Sequence, residues 1–239
     1  MSMDKQLFAL VLIALLGATG MNVRGQSLME YIAECEKKYG SDADLVNGEK
    51  YFYPYSRVEG DPFLLSKAQL STIRVNGKEF EGQMIKFDIF NQKIVLEYED
   101  LYGSTSSLVL RNEWVESFSM SSLHFKNMNG PDGKEGYFQV ILEGAVSCYF
   151  GWRKEYQLNL NSGVQSYYFT EPEKTSFLVT EDGYFPFRSN RSFIKAFHND
   201  HQKTIKLFMR QSNINVKSSP DSEMRHLIEY CNSLSHEAS

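Results

Sequence analysis

The chain has 239 residues, with 30 acidic and 25 basic side chains and a net charge of −5. That balance argues against a nucleic-acid binder, which needs a basic domain or a strong basic stripe to neutralise phosphates. The length suits one β-rich domain, or one domain with a small appendage. The three cysteines are an odd number without C-x-x-C spacing, so neither a zinc site nor a redox pair is expected.

The start of the chain has the layout of a secretory signal peptide. Lys5 precedes an apolar run over 7–16, then come Gly17, Ala18, Thr19 and Gly20, and the exit is Val23-Arg24-Gly25. The small residue Gly25, with Val23 two positions before it, predicts cleavage after residue 25. A spanning helix needs about 20 apolar residues; this run is shorter and is interrupted by Gly17, Thr19 and Gly20. No cysteine lies near the exit to carry a lipid. The expectation is an exported protein, periplasmic or extracellular, soluble and without a stable membrane span after cleavage.

Residues 26–45 read as a helix and a link. The stretch 28–39 is amphipathic, with Ser27 placed to cap it, Glu30 in its first turn, Lys37 and Lys38 in its last, and Gly40 to stop it. A β-rich body follows over 46–187, opening with an extended segment at 46–55. Its clearest unit is Ile73-Arg74-Val75, Asn76-Gly77, Lys78-Glu79-Phe80, since Asn-Gly tolerates positive φ at both central positions of a type I′ turn. On the returning strand Ile85, Phe87 and Ile89 point one way, Lys86 and Asp88 the other. Asn91-Gln92 turns the chain into Ile94, Leu96 and Tyr98, and strands are predicted at 105–111, 113–120 and 122–127.

After the loop 129–133, Phe138, Val140 and Leu142 alternate with Gln139 and Glu143. Glu143-Gly144 turns into a strand whose inner face is Val146, Cys148, Phe150 and Trp152. Strands at 163–170 and 174–180 follow, and Asp182-Gly183 leads into 184–187. Short strands at this spacing argue for antiparallel meanders rather than βαβ units.

From 188 to 239 the period becomes helical. Ile194, Phe197, His201, Ile205 and Phe208 predict one helix over about 191–211, with Lys195, Gln202, Lys203, Lys206 and Arg210 on its wet face. Ser219-Pro220-Asp221 is a strong start for a last helix that buries Met224, Leu227, Ile228 and Cys231. The fold class is therefore α+β: mainly an antiparallel β-meander, with a short N-terminal helix and two C-terminal helices. Cys148 and Cys231 read as small buried hydrophobes.

Val46-Asn47-Gly48-x-x-Tyr51, Gly60-x-Pro62-Phe63-Leu64, the run from Ile73 to Phe80, Ile85-x-Phe87-Asp88-Ile89 and Ile94-Val95-Leu96 share a pattern of turns and apolar spacing. With Asp182-Gly183-Tyr184, Phe193-x-x-Ala196-Phe197 and Leu227-Ile228-Glu229-Tyr230, that pattern resembles a family of uncharacterised, exported, β-rich proteins from Bacteroidota-type bacteria. The likeness runs from about residue 44 to 234. It implies the architecture and an exported location, and it carries over no catalytic residues. Asp61 stands where the family pattern leads one to expect a histidine.

Three groups of residues are candidate sites. His198 and His201 are one helical turn apart, a spacing that lets two imidazoles face one metal, but His201 also belongs to the apolar stripe and a third ligand is missing. Asn129, Asp132 and Glu135 resemble a calcium loop in composition but not in spacing, and turn chemistry explains the same residues. Tyr53, Tyr55, Trp152 and Tyr167 are candidate members of an exposed aromatic platform; since strand neighbours point to opposite faces, at most half of each aromatic cluster shares a surface.

No G-x-S-x-G elbow and no H-E-x-x-H helix occurs. No cofactor is implied. The favoured reading is a non-enzymatic cell-envelope protein that binds a protein or glycan partner. The alternative is an envelope hydrolase using acids such as Glu97, Glu99 and Asp100 in a sheet-mouth cleft.

Overall fold

The structure is a computed structural model, and it describes residues 45, 48–99, 103–159 and 166–236. The signal-peptide layout, the helix expected at 28–39 and Cys35 lie outside the described residues.

The large sheet is built mainly from local hairpins. Strands β3 (Gln69–Val75) and β4 (Lys78–Asp88) flank Asn76-Gly77, whose φ values of 49° and 77° are those of a type I′ turn. The chain continues through β5 (Lys93–Glu99), β6 (Thr105–Val109), a 3-10 turn at Asn112–Trp114, β7 (Val115–Met120), β8 (Leu123–Asn129), β9 (Glu135–Leu142) and β10 (Ser147–Arg153). With β13 (Glu173–Thr180), β14 (Gly183–Phe187) and the short β1 (Glu49–Lys50), these make an 11-stranded sheet in the order β1-β6-β5-β4-β3-β7-β8-β9-β10-β13-β14. Every pairing in it is antiparallel.

A second sheet holds only three strands: β11 (Tyr156–Asn159), β12 (Ser166–Phe169) and β2 (Val58–Glu59). The β2–β12 contact is parallel. Among the described residues of the extended segment expected over 46–55, only the two of β1 join a ladder.

The buried side chains form two clusters. In the first, Ile85, Phe87 and Ile89 are buried as their alternation predicts. The Phe87 ring lies 5.3 Å from Phe118, 5.3 Å from Phe125 and 5.7 Å from Tyr137. The sheet thus coils far enough to bring β4 against the inner side chains of β7, β8 and β9. The second cluster packs Val146, Cys148 and Phe150 of β10 against the C-terminal helices. Each such side chain contributes about 1.5–3 kcal/mol of hydrophobic stabilisation.

Three expectations are corrected. On β9 the fully buried residues are Tyr137, Gln139 and Ile141, not Phe138, Val140 and Leu142, which are half-buried on the other face. That second face is also covered, with Phe138 edge-on to Phe177 at 5.1 Å. Asp88, expected in water, is buried because it bonds the turn that follows it.

The single helix expected at 191–211 is two helices, α1 (Asn190–Ile194) and α2 (Asn199–Gln211), so that with α3 (Asp221–His236) the C-terminal helices number three. A reciprocal Ser189–Ser192 capping box starts α1. Its end tightens into i→i+3 bonds, Ala196 N–H donating to Phe193 at 3.1 Å and Phe197 N–H to Ile194 at 3.2 Å. His198 then turns extended before α2 begins. This break allows Phe193 on α1 and Ile205 and Met209 on α2 all to enter the second cluster. Among the described residues no helix is long and apolar enough to cross a membrane.

Candidate functional site

The small sheet carries the most distinctive surface. Tyr156 pairs with Phe169 and Leu158 with Tyr167, so these four side chains share one face. Tyr156 and Tyr167 stack with centroids 5.0 Å apart and planes within 2°. Tyr55 sits edge-on to Phe169 at 4.9 Å and 5.8 Å from Tyr156, Tyr53 is edge-on to Tyr55 at 5.5 Å, and Phe90 lies 5.4 Å from Phe169. Water still reaches the rings, since Tyr53 is 47 %, Tyr167 39 %, Tyr156 38 % and Phe90 37 % exposed.

Polar contacts pin these segments. Lys154, at the β10–β11 junction, donates from Nζ to the Asp61 carbonyl at 2.8 Å and lies 3.4 Å from its carboxylate. Asp61 Oδ1 also accepts the Phe63 N–H at 2.9 Å. Burial opposes ionisation of Asp61, but bonds from the Ser66 side chain and Phe63 N–H, with Lys154, outweigh it and hold the carboxyl below its ordinary range. Asp88 Oδ1 accepts the N–H groups of Phe90 at 3.0 Å and Asn91 at 2.8 Å, and its Oδ2 accepts Asn91 Nδ2 at 2.8 Å. Burial nevertheless raises the Asp88 carboxyl above its ordinary range. Asn91 Nδ2 also reaches the Tyr55 hydroxyl at 3.0 Å, so the turn that presents Phe90 is tied to the neighbouring ring.

Burial, then Asp61, Tyr55 and Asp88, push the Tyr53 phenol upward, so it remains a neutral donor at physiological pH.

The structure brings Tyr53, Tyr55 and Tyr167 together and leaves Trp152 out. Trp152 packs against the first core cluster and donates from Nε1 to Gln139 at 2.9 Å. It lines a different cleft, of about 510 Å³, along with Asp132 and Glu135. Sequence reasoning missed Phe90 and Tyr156. The Tyr156-Gln157-Leu158 alternation was the available signal for one; Phe90 had none beyond its place after a turn.

The other candidates are engaged locally. Asp132 Oδ1 accepts the Lys134 N–H at 3.2 Å, Glu135 accepts Asn127 Nδ2 at 2.9 Å, and the Asn129 carbonyl accepts the Tyr184 hydroxyl at 3.2 Å. His198 Nδ1 lies 3.1 Å from Asp200 in water, while His201 is half-buried in the first turn of α2. Among the described residues no group of three or more His, Cys, Asp or Glu side chains is arranged to hold a metal ion. Glu97 pairs with Lys86 at 2.7 Å, Glu99 ends β5, and Asp100 lies outside the described residues. Burial pushes the Cys148 and Cys231 thiols up, that of Cys231 to about 12, so neither of these two is a nucleophile at neutral pH.

No family model, curated protein or solved structure matches this chain. What the aromatic surface can do follows from its own chemistry. A phenol offers a flat carbon face and, at its rim, a hydroxyl that both donates and accepts. Several such rings side by side suit a ligand with apolar faces and polar edges, the description of a pyranose.

Proposed function

We propose that this chain is an exported, non-enzymatic binding protein of the cell envelope that holds a glycan on the surface formed by Tyr53, Tyr55, Phe90, Tyr156 and Tyr167. One observation carries the reading: five aromatic side chains from four separate segments converge on one accessible face. Asp61, Lys154, Asp88 and Asn91 hold that face in place, which lowers the ordering cost of binding. Four of the five are tyrosines, so stacking is accompanied by hydroxyls able to bond sugar hydroxyls. The signal-peptide layout and the resemblance to exported β-rich proteins support the location. The hydrolase alternative draws no comparable support: of the acids weighed for it, Glu97 is paired with Lys86 at 2.7 Å.

Calorimetric titration of the purified protein with soluble envelope polysaccharide fragments tests this. Tyr156→Ala and Tyr167→Ala are each expected to weaken binding about tenfold, ~1.4 kcal/mol, while the fold remains intact by circular dichroism. A protein that binds no glycan, or whose binding ignores both substitutions, removes the reading. A protein partner whose capture depends on these same tyrosines would move the function to the other binding class.

A further inference from the structure

A second feature lies on the helices and is independent of the aromatic face. Between α1, the length of α2 from Gln202 to Arg210 and the 213–215 strap lies an open cleft of about 1000 Å³. Arg191, Lys195, Lys203, Lys206 and Arg210 line it, and no acidic side chain does. Among the described residues none of the five forms an ion pair. In a chain of net charge −5, five unneutralised cations around one concavity reverse the local sign of the potential.

Helical geometry explains the convergence. Arg191 on α1 and its C-cap residue Lys195 are four apart, and Lys203, Lys206 and Arg210 follow a three-and-four spacing on α2, so each set shares one helix face. The frame is rigid. Asn190 accepts the Val216 N–H at 2.9 Å and donates to the Ile214 carbonyl at 3.4 Å, which ties the strap to α1. Gln202 donates to the Phe197 carbonyl at 2.8 Å, which fixes α2 against the break. The floor is apolar, from the buried Met209 and Ile214.

We propose that this cleft binds an organic polyphosphate. Five cations demand several negative charges close together, and linked phosphates supply them more densely than carboxylates do. The two arginines offer planar forks for bidentate contact with phosphate oxygens, and the lysines act as point charges. The cleft is larger than phosphate alone requires, and its apolar floor receives an organic body. That body is either soluble, as in a nucleotide, or the head of a phosphorylated lipid.

The test titrates the full chain, at low and at physiological ionic strength, with inorganic triphosphate, a nucleoside triphosphate, citrate as a carboxylate control, and vesicles containing a lipid with two phosphates on its headgroup. Binding of a triphosphate, or of the vesicles, is expected, weakening as salt rises. A triphosphate response identifies the soluble source, and a response to vesicles alone identifies the lipid. The double variant Lys206→Gln/Arg210→Gln should lose roughly tenfold or more in affinity. Both residues are exposed, so its melting should be unchanged; Tyr156→Ala should leave phosphate binding intact. The proposal is overturned if neither triphosphate nor vesicles bind at low salt, if citrate binds as tightly, or if the double variant binds as the natural chain does.

Discussion

Asp88 ends β4 with 1 % of its surface exposed and answers three donors, the N–H groups of Phe90 and Asn91 and the Asn91 amide. Asp88→Ala would take the shared carboxylate acceptor away from all three donors. The expected cost is about 2–3 kcal/mol in urea unfolding, together with loss of the fixed position of Phe90. Asp61 and Asp88 should also respond to pH in opposite directions. The depressed Asp61 carboxyl contributes stability that is present above the unfolded value of about 4 and is lost as pH falls through its folded value. The raised Asp88 carboxyl favours the protonated native state, so its contribution is complete below about 4 and is lost as pH rises through its folded value. Relative to the natural chain, Asp61→Asn should therefore be most destabilising near pH 6 and least near pH 3, and Asp88→Asn should gain over the same rise. Parallel slopes for the two variants would defeat this assignment.

Elements in this fold are joined by side chains as much as by ladders. Asn232 on α3 accepts the Val146 N–H at 2.7 Å and donates to the Val146 carbonyl at 2.9 Å, imitating a strand partner for the β9–β10 turn. Asn232→Ala leaves both backbone groups unanswered and should cost about 2–3 kcal/mol, read as a lower urea midpoint; an unchanged midpoint would show that water replaces the amide fully. Contacts of this kind cannot be read from local sequence, whereas the Asn76-Gly77 hairpin can, because positive φ at two adjacent positions selects those residues. Gly48 has a different cause: a Cβ there would lie 2.0 Å from the Val109 carbonyl oxygen, so β1 reaches β6 only with glycine. The break between α1 and α2 was hidden by a stripe that keeps its spacing across it, although Asp200 is an acid suited to a first helical turn. The aromatic surface was half legible. Dense runs pointed to Tyr53, Tyr55 and Tyr167, but the Asp61–Lys154 contact joins residues 93 apart, which no periodicity encodes.

The described part of the chain contains two hydrophobic clusters, and strands β9 and β10 pass between them. Along β9, Tyr137 belongs to the first and Ile141 to the second, with Gln139 buried between them. Gln139 accepts Trp152 Nε1 at 2.9 Å and donates to Asp221, the first residue of α3. A polar residue thus couples the coiled part of the sheet to the helices. Gln139→Leu removes both bonds and leaves an indole N–H and a carboxylate without those partners, an expected loss of about 2–4 kcal/mol. The more telling effect is on cooperativity. Both tryptophans, Trp114 and Trp152, pack against the first cluster, while the helices belong to the second, so fluorescence and the helical circular-dichroism signal report on different halves. In the natural chain the two urea transitions should coincide, as two-state unfolding requires. In the Leu variant the helical signal should be lost at lower urea than the fluorescence. If the two still coincide, with an unchanged slope, the continuous β9–β10 ladder alone is enough to bind the clusters into one cooperative unit, and Gln139 serves only to satisfy Trp152.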